Sequence, residues 1–477
     1  MRYLTCFSRV TATLCLLAPL AFASGCAIGP DYTRPNVLTP ESFKEQAHSS
    51  DAKSDWRVAE PGSVDQSQWW LVFEDPTLNA FMPQLAAANP DVTTARANLR
   101  QARAAVREAT ASFFPTLGAG GDVSRGSSSG SSPTGTAYTA RLTAAWELDI
   151  FGGTRRETEN TVASAKAAEA ELAAVLLAMR AELAQNYFQL RSLDEQSELY
   201  QKTLAAYERS LAITRNQHAA GTVTRLDVAQ AETQLKSAEA QAIDLELQRH
   251  QTEHAIAALL GLPPALLSLQ AGSLDARLPH IVGTLPSTLL ERRPDIAAAE
   301  QRMAAANARI GMAKSAYFPV FSLTGSGGYS GDAFRQVFTL PNQLWAVGAG
   351  ATLNLFQGGT LLARTDQAVA AWESSVSAYR KTVLTAFREV EDQLVAATLL
   401  EREEALQLDA LASARIAEEL ALSQYRAGIV TYQTVVASQT IALANARTAV
   451  TLQGRRFMTA VALIRSLGGG WHTETVQ

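Results

Sequence analysis

Two stretches of this chain contain neither glycine nor proline: Thr154 to Ala220, 67 residues, and Thr360 to Ala427, 68 residues. Without either helix breaker, and at 1.5 Å per residue, each can form one helix about 100 Å long, far beyond the three or four turns of an average helix. An "AG" turn follows each stretch, and Leu226 to Leu260 and Tyr432 to Gln453 are again free of both residues. Pro90 and Pro294 stand where further helices begin. Each half of the chain therefore reads helix, two strands, very long helix, turn, returning helix.

The two halves are copies. "PDVTTARANLRQARAAVREATASFFP" (Pro90 to Pro115) aligns without a gap on "PDIAAAEQRMAAANARIGMAKSAYFP" (Pro294 to Pro319), with 8 of 26 positions identical. "WELDIFGGT" is echoed by "TLNLFQGGT", and "AGTVTRLDV" (Ala220 to Val228) by "AGIVTYQTV" (Ala427 to Val435). Three collinear matches at nearly one offset mark a tandem duplication, so the fold must be built from two like units.

The long helices carry a seam. Alternate steps of four and three residues from Leu172 to His218 are apolar or aromatic at ten of fourteen positions (Leu172, Leu176, Met179, Leu183, Leu190, Leu193, Tyr200, Leu204, Tyr207 and Leu211), the seam of a coiled coil, flanked by alanines that allow close helix approach. The strands add the decisive pattern. Tyr138, Ala140, Leu142, Ala144, Trp146, Leu148 and Ile150 alternate with Thr139, Arg141, Thr143, Ala145, Glu147 and Asp149. A fourth strand repeats this with Trp345, Val347, Ala349, Ala351, Leu353 and Leu355, and weaker partners lie at Leu117 to Val123 and Val320 to Tyr329. About ten alternating residues with aromatic ends is the signature of a transmembrane β-barrel strand, which assigns Tyr138, Leu142, Trp146, Leu148 and Trp345 to lipid. Four strands cannot close a barrel, and an open edge in lipid leaves backbone groups unpaired. Three chains supply twelve strands. The expected fold is mainly α with a β-barrel part: a trimeric α-helical barrel continuous with a 12-strand transmembrane β-barrel, four strands per chain, around a tunnel.

Residues 1–25 read as a signal peptide, with Arg2 and Arg9 ahead of an apolar run and small residues before Cys26. The "ASGC" boundary resembles a bacterial lipobox, which makes Cys26 the lipid attachment residue; Cys6 and Cys15 leave with the signal, so the mature chain holds no disulfide. Past the signal the longest apolar run, Leu172 to Met179, is far short of the roughly 20 residues of a spanning helix. The net charge of −5 argues against nucleic acid as a partner. "HQTEH" at 250–254 fits a zinc-peptidase pattern formally, but a wall helix offers no third ligand, so it reads as a solvated helix face. No nucleophile or phosphate loop stands out; no enzymatic activity, metal or cofactor is expected.

"CAIGPDYTRP", "WWLVFEDPTL", "AWELDIFGG", "LPSTLLERRPDIAAAEQRMAAANARIG" and "YRAGIVTYQTVVASQ" together resemble the outer-membrane factor family of TolC and NodT type, over essentially the whole mature chain. The resemblance implies a homotrimeric channel in the bacterial outer membrane, lipid-anchored and extending into the periplasm. It would dock with a periplasmic adaptor and an inner-membrane transporter and export drugs or other small molecules. Ala27 after the cysteine fits outer-membrane sorting. Alternatives are an exit duct for type I protein secretion and, in a different class, a coiled-coil adaptor lipoprotein, which would need compact β-domains flanking its hairpin. The segments are 1–25 signal peptide, 26–88 lipidated and equatorial region, 89–260 first repeat, 261–293 linker, 294–467 second repeat and 468–477 tail.

By the same resemblance the two turns are periplasmic tips, with Gly221, Val223, Thr224, Gly428, Val430 and Thr431 as adaptor contacts. Family members carry a ring of carboxylates just beyond the second tip; here Thr434 and Ala437 hold those positions. The gate is therefore expected to close by packing of Val435 and Val436, with Gln433 as a polar constriction and Asp227 bracing neighbouring helices through Tyr425.

Overall fold

The computed structural model describes residues 27–47, 66–126, 135–274, 276, 278 and 292–469. The signal segment, Cys26, the centre of the glycine-serine loop, most of the 261–293 linker past 274 and residues 470–477 of the tail lie outside the described residues. The elements run α1 (Lys44–Ala47), α2 (Pro76–Ala88), α3 (Pro90–Ala111), β1 (Thr116–Gly126), β2 (Gly135–Leu148), α4 (Gly153–Ala219), α5 (Arg225–Leu259), α6 (Pro294–Ser315), β3 (Val320–Gly331), β4 (Gln343–Thr352), α7 (Thr360–Arg426) and α8 (Tyr432–Ser466), with short 3-10 turns between some of them. Corresponding helices of the two halves match in length: 22 residues in α3 and α6, 67 in α4 and α7, 35 in α5 and α8.

The strands end earlier than the alternation suggests. Ile150 lies past the end of β2, and Leu353 and Leu355 past the end of β4. Their partner runs out: β3 begins at Val320, opposite Thr352, and Pro319 before it has no amide to donate. Beyond β2 the chain turns into a helix start. Asp149 accepts from the amides of Thr154 (3.1 Å) and Arg155 (2.9 Å), and Gly152 adopts φ +79°, where a side chain would be strained. The "LDIFGG" phrase is thus a cap joining a strand to a 67-residue helix.

The chain forms two compact units, each made of matching pieces of both repeats. The first holds the N-terminal segment, the four strands and the beginnings of the long helices; the sheet is antiparallel in the order β1-β2-β3-β4. Within this unit the N-terminal segment is clamped. The Arg156 guanidinium, almost fully buried, donates to the carbonyls of Ile28 (3.2 Å) and Gly29 (3.3 Å) and to Asp31 Oδ1 (2.9 Å), while Asn307 Nδ2 donates to the Pro30 carbonyl (2.9 Å).

The second unit has an aromatic core. Trp69, Trp70, Phe73, Leu78, Met82 and Leu85 pack on Ala181, Tyr187, Phe188, Ile256, Phe457 and Val461, with Phe188 stacked on Phe457 at 4.9 Å. Side chains of this size contribute about 1.5–3 kcal/mol each when fully buried, so this cluster anchors the unit. At this level α4 is buried beyond its seam, because Ala184 and Phe188 are covered as well as Leu183 and Leu190. The "FEDPTL" phrase caps α2: Asp75 accepts from the amides of Thr77 and Leu78 (both 2.9 Å) and from Tyr187 Oη (2.7 Å). The "RRPD" phrase is a lock. Buried Arg293 donates to both oxygens of Asp295, to Glu389 (2.8 Å) and to the last carbonyl of α8, Ser466 (3.1 Å).

Candidate functional site: hairpin tips and apolar sheet face

Both tips are built by one local device. Gly221 (φ +73°) and Gly428 (φ +76°) occupy the left-handed position after α4 and α7. Gly221 N donates to the His218 carbonyl and Thr222 N to that of Gln217; Gly428 N donates to that of Tyr425 and Ile429 N to that of Gln424. This pair of hydrogen bonds is the Schellman closure, and glycine lets it form without the strain a side chain meets at positive φ. The starts of the returning helices differ. At Thr224 a reciprocal capping box is present: its amide donates to Asp227 Oδ2 (2.9 Å), and the Asp227 amide donates to the Thr224 hydroxyl (3.3 Å). At Thr431 no side-chain cap bond exists: the Thr434 amide donates to the Thr431 carbonyl (3.1 Å), and Thr434 has no carboxylate to reach back to the Thr431 amide as Asp227 does at the first tip.

Below the tips one cluster ties four helices. Tyr207 and Leu211 of α4, Val228, Ala231 and Leu235 of α5, Tyr425 of α7, and Tyr432 and Val435 of α8 are all buried. The rings of Tyr425 and Tyr432 meet edge-on at 5.2 Å, and the hydroxyls of Tyr432 and Ser210 lie 3.3 Å apart. The Tyr207 and Tyr425 hydroxyls are buried without a hydrogen-bond partner. Burial pushes the Tyr207 phenol up to about 12. Tyr207 also lines a cavity of about 240 Å³ with Tyr200, Gln234, Gln241, Thr440 and Arg447.

The geometry alters the sequence-based reading of the gate. Val435 has no exposed surface within a single chain, so it is a core residue of the hairpin and cannot line an axis. Tyr425 is likewise buried, and its hydroxyl forms no bond to Asp227, whose carboxylate is held in the cap; burial raises the Tyr425 phenol and the nearby Asp227 charge adds to the shift. Val436 is half-buried against the cluster, whereas Gln433, Thr434 and Ala437 are exposed on one side of α8. Of the tip residues, Gly221, Thr224, Gly428 and Thr431 are exposed; Val223 and Val430 pack partly on the cluster beneath. Two exposed apolar residues at the tips escaped the motif reading: Leu226, 66% exposed, and Ile429, 72% exposed. Neither falls on a repeated position, since Gln433 and Thr222 are their counterparts.

In the sheet, the register puts the large apolar side chains of β2 and most of those of the other strands on one face, with Gln343 beside Tyr329 at its edge; Val320 and Leu344 fall on the other. Trp345 stands beside Gly327, Gly327 beside Leu142, and Leu142 beside Ala119; Leu148 pairs with Phe321, Trp146 with Leu323, and Tyr138 with Val123. The opposite face carries Arg141, Thr143, Glu147, Ser322, Thr324 and Ser326. Leu142 is 65% and Trp345 77% exposed within one chain. Aromatic rings gather at both ends of the apolar face. Tyr138 meets Phe334 at 5.7 Å and Tyr329 meets Phe338 at 5.6 Å at one end; Phe151 stacks on Phe318 at 4.7 Å at the other. Strands β1 and β4 each have a free edge.

A chain with a four-stranded sheet, one face of it mainly apolar, and a duplicated pair of 67-residue helices matches one family model. The model for outer membrane efflux proteins covers residues 82–262 and 285–469. The chain belongs to the outer membrane efflux protein family. The efflux protein is 34% identical to the pyoverdine export outer membrane protein OpmQ of Pseudomonas aeruginosa over 89% of its length and 92% of that protein. It is 31% identical to the toluene efflux pump outer membrane protein TtgC of Pseudomonas putida over 98% of each. Among solved structures, the outer-membrane channel OprN aligns with a TM-score of 0.85 at 30% identity, covering 94% of this chain and all of that one. The open state of the Neisseria gonorrhoeae MtrE channel aligns at 0.83 and 27% over 95% and 100%. The efflux protein is therefore a bacterial outer-membrane channel protein that extends into the periplasm.

Its "HQTEH" helix is structural. Glu253 is buried, pairs with Arg249 at 3.2 Å and accepts from the Leu269 amide, so it holds the segment after α5 in place. Among the described residues no group of three metal-binding side chains forms.

Proposed function

We propose that three copies of this chain assemble into one tunnel through which a tripartite pump expels small organic molecules. The supporting observation is the sheet: four strands, two free edges, and one mainly apolar face that carries Tyr138, Leu142, Trp146, Leu148 and Trp345. Closing the edges β1 to β4 between neighbouring copies gives twelve strands with lipid outside and the Arg141–Thr143–Glu147 face toward the lumen. Cys26 carries the lipid anchor. The exposed tips, Gly221 and Thr224 with Gly428 and Thr431, receive a periplasmic adaptor, with Val223 and Val430 shaping the surface from beneath, and an inner-membrane transporter supplies cargo. Relatives named for pyoverdine export and toluene efflux support small molecules as the cargo class. At the entrance the exposed side of α8, with Gln433, Thr434 and Ala437, faces the axis and closes without a charge ring.

The test is the mass of the purified protein in detergent together with its conductance in planar bilayers. Three-chain mass and discrete ohmic channels are expected. A monomeric mass, or no conductance from a folded trimer, refutes the tunnel.

A further inference from the structure

The apolar face of the sheet is interrupted along β3. Gly325 and Gly327 occupy consecutive positions on that face, so a trough runs along the strand between Leu142 and Ala144 of β2 and Trp345 and Val347 of β4. An open hollow of about 690 Å³ crosses the far end of this trough, running over all four strands from Ala119 through Leu142 and Gly327 to Trp345 with Arg141 also in its lining, and the Tyr329–Phe338 pair stands at that end.

These glycines answer no need of the backbone or of packing. Neither has a positive φ. A Cβ at Gly327 would meet nothing within 4 Å, and one at Gly325 would make only an ordinary 3.8 Å contact with Ala144. Glycine weakens a strand, so its use here leaves empty space as the feature to be explained.

The near end of the trough points to what fills it. Past Leu323 and Trp146 lies Phe321, 6.4 Å from the Phe151 ring that also stacks on Phe318. At this place the N-terminal segment is pinned: Ile28 N donates to the Phe151 carbonyl, a Cβ on Gly152 would sit 2.7 Å from Ala27 Cα, and Arg156 grips the Ile28 and Gly29 carbonyls. Ala27 is the residue bonded to Cys26.

We propose that the trough seats one fatty-acyl chain of the protein's own lipid anchor on Cys26, laid along β3 from Phe321 to Gly327. The assignment rests on the lipoprotein reading of Cys26. The lengths are comparable: the six steps from Phe321 to Gly327 span about 20 Å, and one leaflet, half of a hydrocarbon core of about 30 Å, takes an acyl chain of about 15 Å. The N-terminal clamp then acts as a guide that delivers the chain to the trough, and anchor and barrel wall become one surface.

Cells expressing the full chain are grown with a fatty acid bearing a diazirine near its end; the protein is isolated, irradiated and mapped by mass spectrometry. The expected result is an intramolecular cross-link from the lipidated N-terminal peptide to the Val320–Gly331 segment or Trp345. Gly327→Leu, which fills the trough, should lose that cross-link while incorporating the same label. Gly126→Leu, in open space on the opposite face and outside that hollow, should keep it. Cross-links spread over all four strands, cross-links unchanged by Gly327→Leu, or adducts of intact phospholipid alone in the trough would each overturn the inference while leaving the anchor intact. A chain that takes up no label refutes the lipoprotein reading itself. The unsubstituted protein already discriminates, so a variant that failed to assemble would not blunt the test.

Discussion

Thr224→Ala and Thr431→Ala remove the same hydroxyl from the same position of two duplicated turns, yet the structure assigns them different consequences. At the first tip the Thr224 hydroxyl accepts from Asp227 N at 3.3 Å and donates to Asp227 Oδ2 at 2.7 Å. Losing a threonine cap of this kind costs about 1 kcal/mol, in a range of about 0.5–2. At the second tip Thr431 makes no side-chain cap bond, so its loss falls within the roughly ±0.5 kcal/mol of an ordinary surface change. Both tips fray from a helix end, so the free energy appears locally, as opening of the first turn. One kcal/mol corresponds to about a fivefold change in an opening equilibrium. Amide hydrogen exchange on the assembled protein should therefore accelerate about fivefold over Arg225 to Val228 in Thr224→Ala. Over Tyr432 to Val435 it should remain nearly unchanged in Thr431→Ala. The reciprocal change is sharper still: Thr434→Asp supplies the missing half of the box and places a carboxylate at a helix N-terminus, which should slow exchange at the second tip by a similar factor. Equal acceleration by both alanine variants, or no gain from Thr434→Asp, would refute the assignment of the cap as the source of the difference.

A charge on the apolar sheet face should be worse than one on the polar face: Leu142→Arg is expected to cost ~2–4 kcal/mol near mid-bilayer and Thr143→Arg much less, read as loss of heat-resistant trimer; equal losses would reject the assignment of faces. Ala437→Asp places three carboxylates at the proposed entrance and should create sensitivity to block by multivalent cations from the periplasmic side in single-channel recordings, whereas the unsubstituted tunnel should lack it. If the unsubstituted tunnel is blocked and Asp227→Asn relieves the block, the charge at the entrance resides in the first tip. Tyr207 sets an alkaline limit on the tip. Its phenol keeps its proton up to about 12 in the folded chain but ionises from about 10 when unfolded, so its contribution to stability is complete below pH 10 and lost as pH rises toward 12. Tyr207→Phe should flatten the fall in tip protection over that window, and an unchanged profile would show that another group governs it.

Much of the architecture is legible in the chain alone because it depends on short-range rules. The absence of glycine and proline fixes two helices that the structure gives 67 residues each, glycine after the last helical turn fixes both reversals, and strict alternation fixes which strand residues share a face. The duplication ensures that reading one half correctly reads the other. Targeting at Cys26 is also a local pattern, on a residue outside the described ones.

What the sequence leaves open are the properties set by contacts between distant residues. Val435 looks like a gate residue on its helix, and only the packing of α8 on α4, α5 and α7 reveals it as core. Asp227 looks like a brace until the Thr224 amide is found donating to it. Arg156 carries no motif, yet it holds a segment 125 residues away from it in sequence, because a buried guanidinium must find acceptors wherever the fold brings them. Gly325 and Gly327 read as weak points of a strand, whereas the register that sets Leu142 and Trp345 on either side of Gly327 turns the same two residues into a trough. Periodicity determines which way a side chain points; only the tertiary structure decides what stands opposite it.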